Sequence, residues 1–198
     1  IVICGGGLSG LTLARQIKLE QPDRSILLLE SSQEVLDELS HKPGEATTEA
    51  GAYYLSHTIG LPDYLEKHHL SKLGFRFFFG NSTAVIQERP EFGISRFPDV
   101  PSYNVDRGQL ERDLRQFASD VGVKLIYSSR VQSVELGNEN RQHTVCYREA
   151  SGALRAVQAR WVVDAMGRRR YLQKQLGLSK DVDGLCSAIW FRVSGRVD

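Results

Sequence analysis

Three glycines and one acid in the first thirty residues have the types and spacing to bind a dinucleotide. Gly5, Gly7 and Gly10 follow the pattern G-x-G-x-x-G within Ile1-Val2-Ile3-Cys4-Gly5-Gly6-Gly7-Leu8-Ser9-Gly10. At this spacing Gly5 allows a tight turn out of a strand. Gly7 has no side chain to hold a pyrophosphate away from the backbone, and Gly10 lets the following helix pack close. The helix that starts at Leu8 and Ser9 offers unpaired N–H groups and about +0.5 of a charge in its first turn, which suits a diphosphate. Glu30 ends the next apolar run, Ile26-Leu27-Leu28-Leu29. There a carboxylate accepts hydrogen bonds from both hydroxyls of an adenosine ribose, and it would repel a ribose 2′-phosphate. A glycine-rich turn alone is also a plain structural bend. The ordered run of strand, glycines, helix, second strand and acid is what points to a nucleotide.

These residues need elements to position them. Ile1 to Cys4 are apolar without alternation, as in a strand buried on both faces. Leu8, Leu11, Ala14 and Ile17 then recur at helical spacing. After Glu30 the chain turns polar, with a short amphipathic piece at Val35, Leu36 and Leu39. Thr47 and Thr48 are N-cap candidates for a helix beginning Ala50 to Leu55 and stopping near Gly60-Leu61-Pro62. A short helix over Asp63 to Leu70 leads to Gly74-Phe75-Arg76-Phe77-Phe78-Phe79-Gly80. Its alternation reads as a strand with an aromatic face, expected to be sheet core rather than a substrate wall. Residues 81 to 103 read mostly as loop, with one short strand near Ile94 to Phe97. Asp106 caps a helix carrying Leu110, Leu114, Phe117 and Val121 and ending at Gly122. Strands are expected at Val123 to Tyr127, Val131 to Leu136, His143 to Glu149, Leu154 to Gln158 and Trp161 to Asp164. The middle three, with turns at Gly137-Asn138 and Ser151-Gly152, form an antiparallel meander inserted into a parallel layer. The fold class is therefore α/β: a Rossmann-like nucleotide-binding domain with a parallel sheet and an inserted β-meander.

Composition narrows the classes. The 198 residues suffice for one domain with a substantial core, or for one domain and part of a second. Residue 1 already lies in an apolar strand and the sole methionine is Met166, so a piece of a longer protein is expected, all of it one domain over residues 1 to 198. With 25 Lys and Arg against 24 Asp and Glu, the chain lacks the basic excess of a nucleic-acid binder. No apolar run is long enough to span a bilayer, and a cytoplasmic location is the default expectation. Cys4, Cys146 and Cys186 are widely spaced without C-x-x-C, so no disulfide framework and no metal site is indicated. Cys4 reads as a small buried residue rather than a redox group. His68 and His69, adjacent and so unable to share a helix face, read as surface. Arg168-Arg169-Arg170 reads as a solvated basic edge, with Arg168 the best candidate for a phosphate contact.

Four places in this layout resemble the FAD-binding half of glutathione-reductase-type flavoproteins, in particular the aromatic-ring hydroxylases and flavin-dependent halogenases. They are the glycine fingerprint with Glu30; Gly44-Glu45-Ala46-Thr47; the helix from Asn104-Val105-Asp106-Arg107 to Leu114; and Val162-Val163-Asp164-Ala165-Met166-Gly167-Arg168. The resemblance implies FAD as cofactor. Arg107 would reach its phosphates or ribityl chain, and Gly44 and Glu45 would lie in a loop near the flavin ring. Ala165 and Gly167 would close over the adenosine end, and Val131 would meet adenine. Residues 44 to 103 would be an excursion toward the substrate region. His41, beside that loop, could assist proton transfer or be an ordinary loop residue.

The same resemblance implies an FAD-dependent oxidoreductase of the monooxygenase type. Its substrate would be a small organic molecule, with NAD(P)H or a flavin reductase as electron source, and Glu45 and Arg76 are the candidates near the ring. Halogenation is the alternative. It is thought to need a lysine amine, whereas Arg76 occupies the best-matching position and cannot deprotonate near neutral pH. Lys72 is four residues earlier, and Trp-x-Trp-x-x-Pro is absent from the sequence. A non-catalytic nucleotide-binding module is the third reading.

Overall fold

A computed structural model of the chain describes residues 1–33, 42, 44–80, 85–180, 188, 189 and 194. Val35, Leu36, Leu39, His41 and Cys186 lie outside them. The centre is a parallel sheet of β1 (Val2–Cys4), β2 (Leu27–Leu29), β7 (Lys124–Ile126) and β11 (Val162–Asp164) in the order β11-β1-β2-β7. β1 therefore lies between strands from opposite ends of the sequence, with Cys4 in register with both Leu29 and Asp164.

The unbroken apolar run of β1 is explained by two cores. Side chains alternate across a strand, and Ile3 with Leu28 faces the helices, packing on Leu11, Ala14, Leu110 and Leu114. Val2, Cys4 and Leu29 face the other way, onto Val131, Val134, Val145 and Tyr147 of the meander. Ile3, Cys4, Leu11 and Leu28 are all 0% exposed. At about 1.5 to 3 kcal/mol for each large apolar side chain fully buried, this double packing is what fixes the end of β1, where the glycine turn begins.

On the helical face, α1 (Leu8–Glu20) crosses α4 (Arg107–Asp120). Arg15 of α1 ties them, donating from Nη1 to the Phe117 carbonyl (2.7 Å) and from Nε to the Ile59 carbonyl (3.0 Å). Asp106 caps α4 as expected, its carboxylate accepting the Gln109 amide proton at 2.9 Å. The meander on the other face is β8 (Arg130–Glu135), β9 (His143–Arg148) and β10 (Leu154–Ala159), antiparallel throughout, with a bulge between Val131 and Ser133.

The excursion between β2 and α4 starts with α2 (Glu49–Tyr53), capped by Thr48, which runs into a π-helical turn over Tyr54–Thr58. Next comes α3 (Pro62–His68), and then β3 (Leu70–Lys72), which pairs with β6 (Ser102–Asn104). The aromatic stretch corrects the expectation of a core strand. β4 (Arg76–Phe78) and β5 (Glu91–Gly93) form a two-stranded ribbon whose Phe75, Phe77, Phe79 and Phe92 are 54–61% exposed. Its second strand precedes the expected Ile94 to Phe97, and β6 lies in a stretch read as loop. After β11, a 3₁₀ turn at Gly167–Arg169 leads into α5 (Tyr171–Gln175). His69 is a second correction: it is 8% exposed, and its Nδ1 accepts the Asp106 amide proton at 3.3 Å. Burial lowers its pKa, the nearby Asp106 charge working the other way. Among the described residues no helix is long and apolar enough to cross a membrane.

Candidate cofactor site

The glycine turn sits where β1 gives way to α1, and its glycines differ in what surrounds them. Gly5 has φ +111, and a Cβ there would stand 2.3 Å from the Ala165 carbonyl oxygen, so only glycine fits between the turn and β11. A Cβ on Gly10 would lie 2.0 Å from the Gly5 carbonyl oxygen, while one on Gly7 would meet nothing within 4 Å. Gly5 and Gly10 are thus demanded by packing, whereas Gly7 borders open space. Gly7 is also the N-cap of α1, which has no side-chain cap and no acid in its first turn. Its first-turn N–H groups are left for an outside acceptor, in the field of the helix dipole.

Two clefts flank this turn. The larger, about 610 Å³, is walled by Gly5, Gly7, Glu30, Val131, Ala165 and Gly167. All six are residues the sequence nominated. Arg130 and Arg169 line the same space, giving it two guanidinium groups against one carboxylate. The smaller, about 290 Å³, is walled by Leu8, Ser9, Gly44 and Arg107 together with Thr12, Tyr54 and Leu55. The first turn of α1 therefore separates a cleft beside the adenosine-type acid from one beside Arg107.

Glu30 is held on both oxygens. Oε2 accepts the Gly6 amide proton, and Oε1 accepts that of Ser32 at 2.6 Å. Burial pushes its pKa up and is the largest single influence. The Ser32 and Gly6 amides, the Ser32 side chain and the Arg115 charge together outweigh it, so the net displacement is downward. An ionised carboxylate with fixed orientation is what recognition of a vicinal diol requires. Gly6 was invisible to the fingerprint, which skips it. The sign was its neighbourhood: a Cβ on Gly6 would lie 2.9 Å from Glu30 Oε2.

Arg107 shares Glu111 with Lys42, each donating to one carboxylate oxygen, and Arg107 Nη1 also donates to the Gly44 carbonyl at 3.3 Å. Glu111 is 2% exposed. Arg107 Nε is buried with no hydrogen-bond partner among the described residues. The group of two cations and one anion keeps a net positive charge at the edge of the smaller cleft.

Glu45 stands between Gly44 and Ala46 of that cleft's wall without being part of it, and its carbonyl accepts the Val105 amide proton at 2.6 Å. Arg76 is on the ribbon, with Nε 2.9 Å from Glu91 and Nη1 on the Ile94 carbonyl, and it lines neither cleft. Gly10 lines neither because it is packed beneath the turn. Within the triple arginine, Arg169 rather than Arg168 reaches a cleft. Arg169 donates to the Val131 carbonyl at 2.7 Å and lies over the Tyr171 ring at 5.0 Å, while Arg168 is exposed. Lys72 is 6% exposed, its ammonium on the Thr47 carbonyl and 4.6 Å from the Phe75 ring centroid. The arrangement fits a dinucleotide. The turn is bare where a diphosphate would approach, the acid is fixed, and space continues on both sides of the helix start.

A family model described as the FAD binding domain matches residues 1–197. A flavin-dependent halogenase of Dictyostelium discoideum is 30% identical over 142 residues, which is 68% of this chain and 23% of that protein. A 4-methyl-5-nitrocatechol 5-monooxygenase of a Burkholderia species is 32% identical over 120 residues, 59% of this chain and 22% of that protein. Among solved structures, the myxobacterial chondrochloren halogenase superposes with a TM-score of 0.69 at 28% identity, covering 85% of this chain and 37% of that one. The chain spans less than a quarter of the length of these two curated relatives.

Proposed function

This chain belongs to the FAD binding domain family, and from that premise we propose that it is the cofactor-holding part of an FAD-dependent monooxygenase that oxidises a small organic substrate. The observation that carries the reading is the uncapped start of α1 beside open space at Gly7, with the Glu30 carboxylate fixed on the rim of the same cleft. When bound, FAD supplies the redox chemistry, and the chain's task is binding, orientation and exclusion of water.

Each residue has a share in that task. The first-turn amides of Leu8, Ser9 and Gly10 would receive the diphosphate, and Glu30 would accept the ribose hydroxyls. Val131, Ala165 and Gly167 would enclose the adenosine side, while Arg107 and Gly44 would meet the flavin side in the smaller cleft. Glu45, next to Gly44, is the candidate to meet the ring by charge or hydrogen bond. Arg76 would do so only from the ribbon, as part of the 44 to 103 excursion toward substrate. Electrons would come from NAD(P)H or a reductase, and the setting would be cytoplasmic. Purified full-length protein should carry flavin absorbance or regain it on titration with FAD. A protein that stays colourless and binds no FAD would end this proposal.

Halogenation is the second reading, favoured by the 30% identity to a halogenase over 68% of the chain. It would call on Lys72, whose ammonium is buried on the Thr47 carbonyl at the back of the smaller cleft's wall. Supplying reduced flavin, halide and aromatic substrates decides between the two, because a halogenated product has a diagnostic isotope pattern.

A further inference from the structure

We propose that Arg115 is the positioning residue of Glu30, acting from α4 through the turn that follows β2. This rests on the reading of the larger cleft as the adenosine side of an FAD site. Arg115 is 5% exposed and is not among the residues lining that cleft. Its guanidinium donates from Nη1 to the Gln33 carbonyl and from Nη2 to the Ser32 hydroxyl, both at 2.7 Å. The same group lies over the Tyr127 ring, 4.9 Å from its centroid.

These contacts form a chain to the acid. The fork holds the Ser32 hydroxyl and the Gln33 carbonyl, on the same turn as the Ser32 amide that donates to Glu30 Oε1. From the other side, the Ser128 amide donates to the Ser32 carbonyl and the Ser129 amide to the Glu30 carbonyl, both at 2.8 Å. Tyr127 belongs to that second segment, so one guanidinium braces the Ser32–Gln33 turn by hydrogen bonds and the Tyr127–Ser129 turn by its face. An arginine suits this place because its planar fork donates to two oxygens in a fixed geometry while its flat face rests on a ring; an ammonium has no such plane. A buried cation is costly unless its donors are satisfied, and here two of them are satisfied by the turn whose Ser32 amide holds Glu30.

The test uses the full-length protein and two probes, FAD and ADP, the second reporting the adenosine side alone. R115M should weaken both about tenfold, the size expected for loosening a hydrogen bond to a charged group. Because both substitutions act on one contact, the double variant R115M/E30Q should be no weaker than E30Q. The acid limb of ADP binding should move to higher pH in R115M, since the cation that favours ionised Glu30 is gone. Arg130 and Arg169, the other charged groups lining the cleft, remain. R115K, which restores charge without the fork, should return the pH limb toward wild type while affinity stays reduced, and it serves as the test if R115M does not fold. ADP and FAD binding within twofold of wild type in R115M, losses that multiply in the double variant, or an unmoved acid limb would each overturn the proposal while leaving the FAD site standing. Wild-type protein that binds neither probe overturns the site itself.

Discussion

The carboxylate of Glu30 accepts the amide proton of Gly6, so the acid ending the second strand is hydrogen-bonded to the turn ending the first. The two halves of the nucleotide fingerprint, twenty-four residues apart, are therefore one object before any ligand arrives. Replacing Glu30 by Gln should cost FAD affinity 10- to 100-fold, the equivalent of about 1.5 to 3 kcal/mol for hydrogen bonds to a charged group. The amide would also oppose one N–H with another at Ser32 or Gly6, so a measurable loss of melting temperature should accompany it.

The pH dependence follows from the same contact. The folded-state pKa of Glu30 is displaced downward, so the unfolded state binds its proton first as pH falls. Its contribution is fully present above the ordinary carboxylate value of about 4.3 and is lost as pH falls through the lowered folded value. Denaturant unfolding of wild type and E30Q at a series of pH values should show the difference between them shrinking below about pH 4.

Gly7→Ala and Gly10→Ala should separate binding from folding. Alanine at Gly10 would drive a methyl into the Gly5 carbonyl oxygen, 2.0 Å away, and should lower stability by about 3 kcal/mol or more. Alanine at Gly7 meets nothing within 4 Å, so stability should change by only about 0.5 to 1 kcal/mol. It should nevertheless lower FAD affinity at least tenfold, because the methyl occupies the approach to the helix start. Calorimetric melting and flavin titration of the two variants check this.

Much of this site was legible because it is local. The strand, glycines, helix and acid lie within thirty residues, and each is specified by its neighbours in sequence. The Asp106 cap and the Leu110 and Leu114 stripe of α4 were readable for the same reason. What escaped depends on distant partners. Arg115 and Glu111 look like solvated helix residues until α4 is packed against Ser32 and Lys42. His69 looked like surface until the Asp106 amide closed over it. Among the three arginines, the turn geometry chose Arg169, and no composition rule could have done so. β3, β5 and β6 are fixed by pairing with segments distant in sequence, β3 with β6 and β5 with β4, which no local pattern announces.

The buried charges on α4 make a stability prediction. Glu111 serves both Arg107 and Lys42 from a position 2% exposed. Glu111→Leu should cost about 1.5 to 3 kcal/mol, since it removes the carboxylate shared by Arg107 and Lys42, whose side chains keep partial exposure to solvent. Chemical denaturation measures it, and Glu111→Gln should fall between the two.

The phenylalanine ribbon makes the opposite one. Alternation correctly gave a strand at Phe75 to Phe79, but periodicity reports a face without saying what that face meets. With Phe77 and Phe92 more than half exposed, F77S and F92S should change the unfolding free energy of residues 1–198 by no more than about 0.5 kcal/mol.

The position of β11 beside β1 carries a consequence for synthesis on the ribosome. The part of the larger cleft's wall formed by Ala165 and Gly167 is contributed some 160 residues after Gly5 and Gly7, so the nascent chain has the glycine turn long before it has the whole cleft. Closing so distant a pair is a slow step in assembly. Cofactor capture should then coincide with emergence of β11, and stalled chains ending before Val162 should release flavin that longer ones retain.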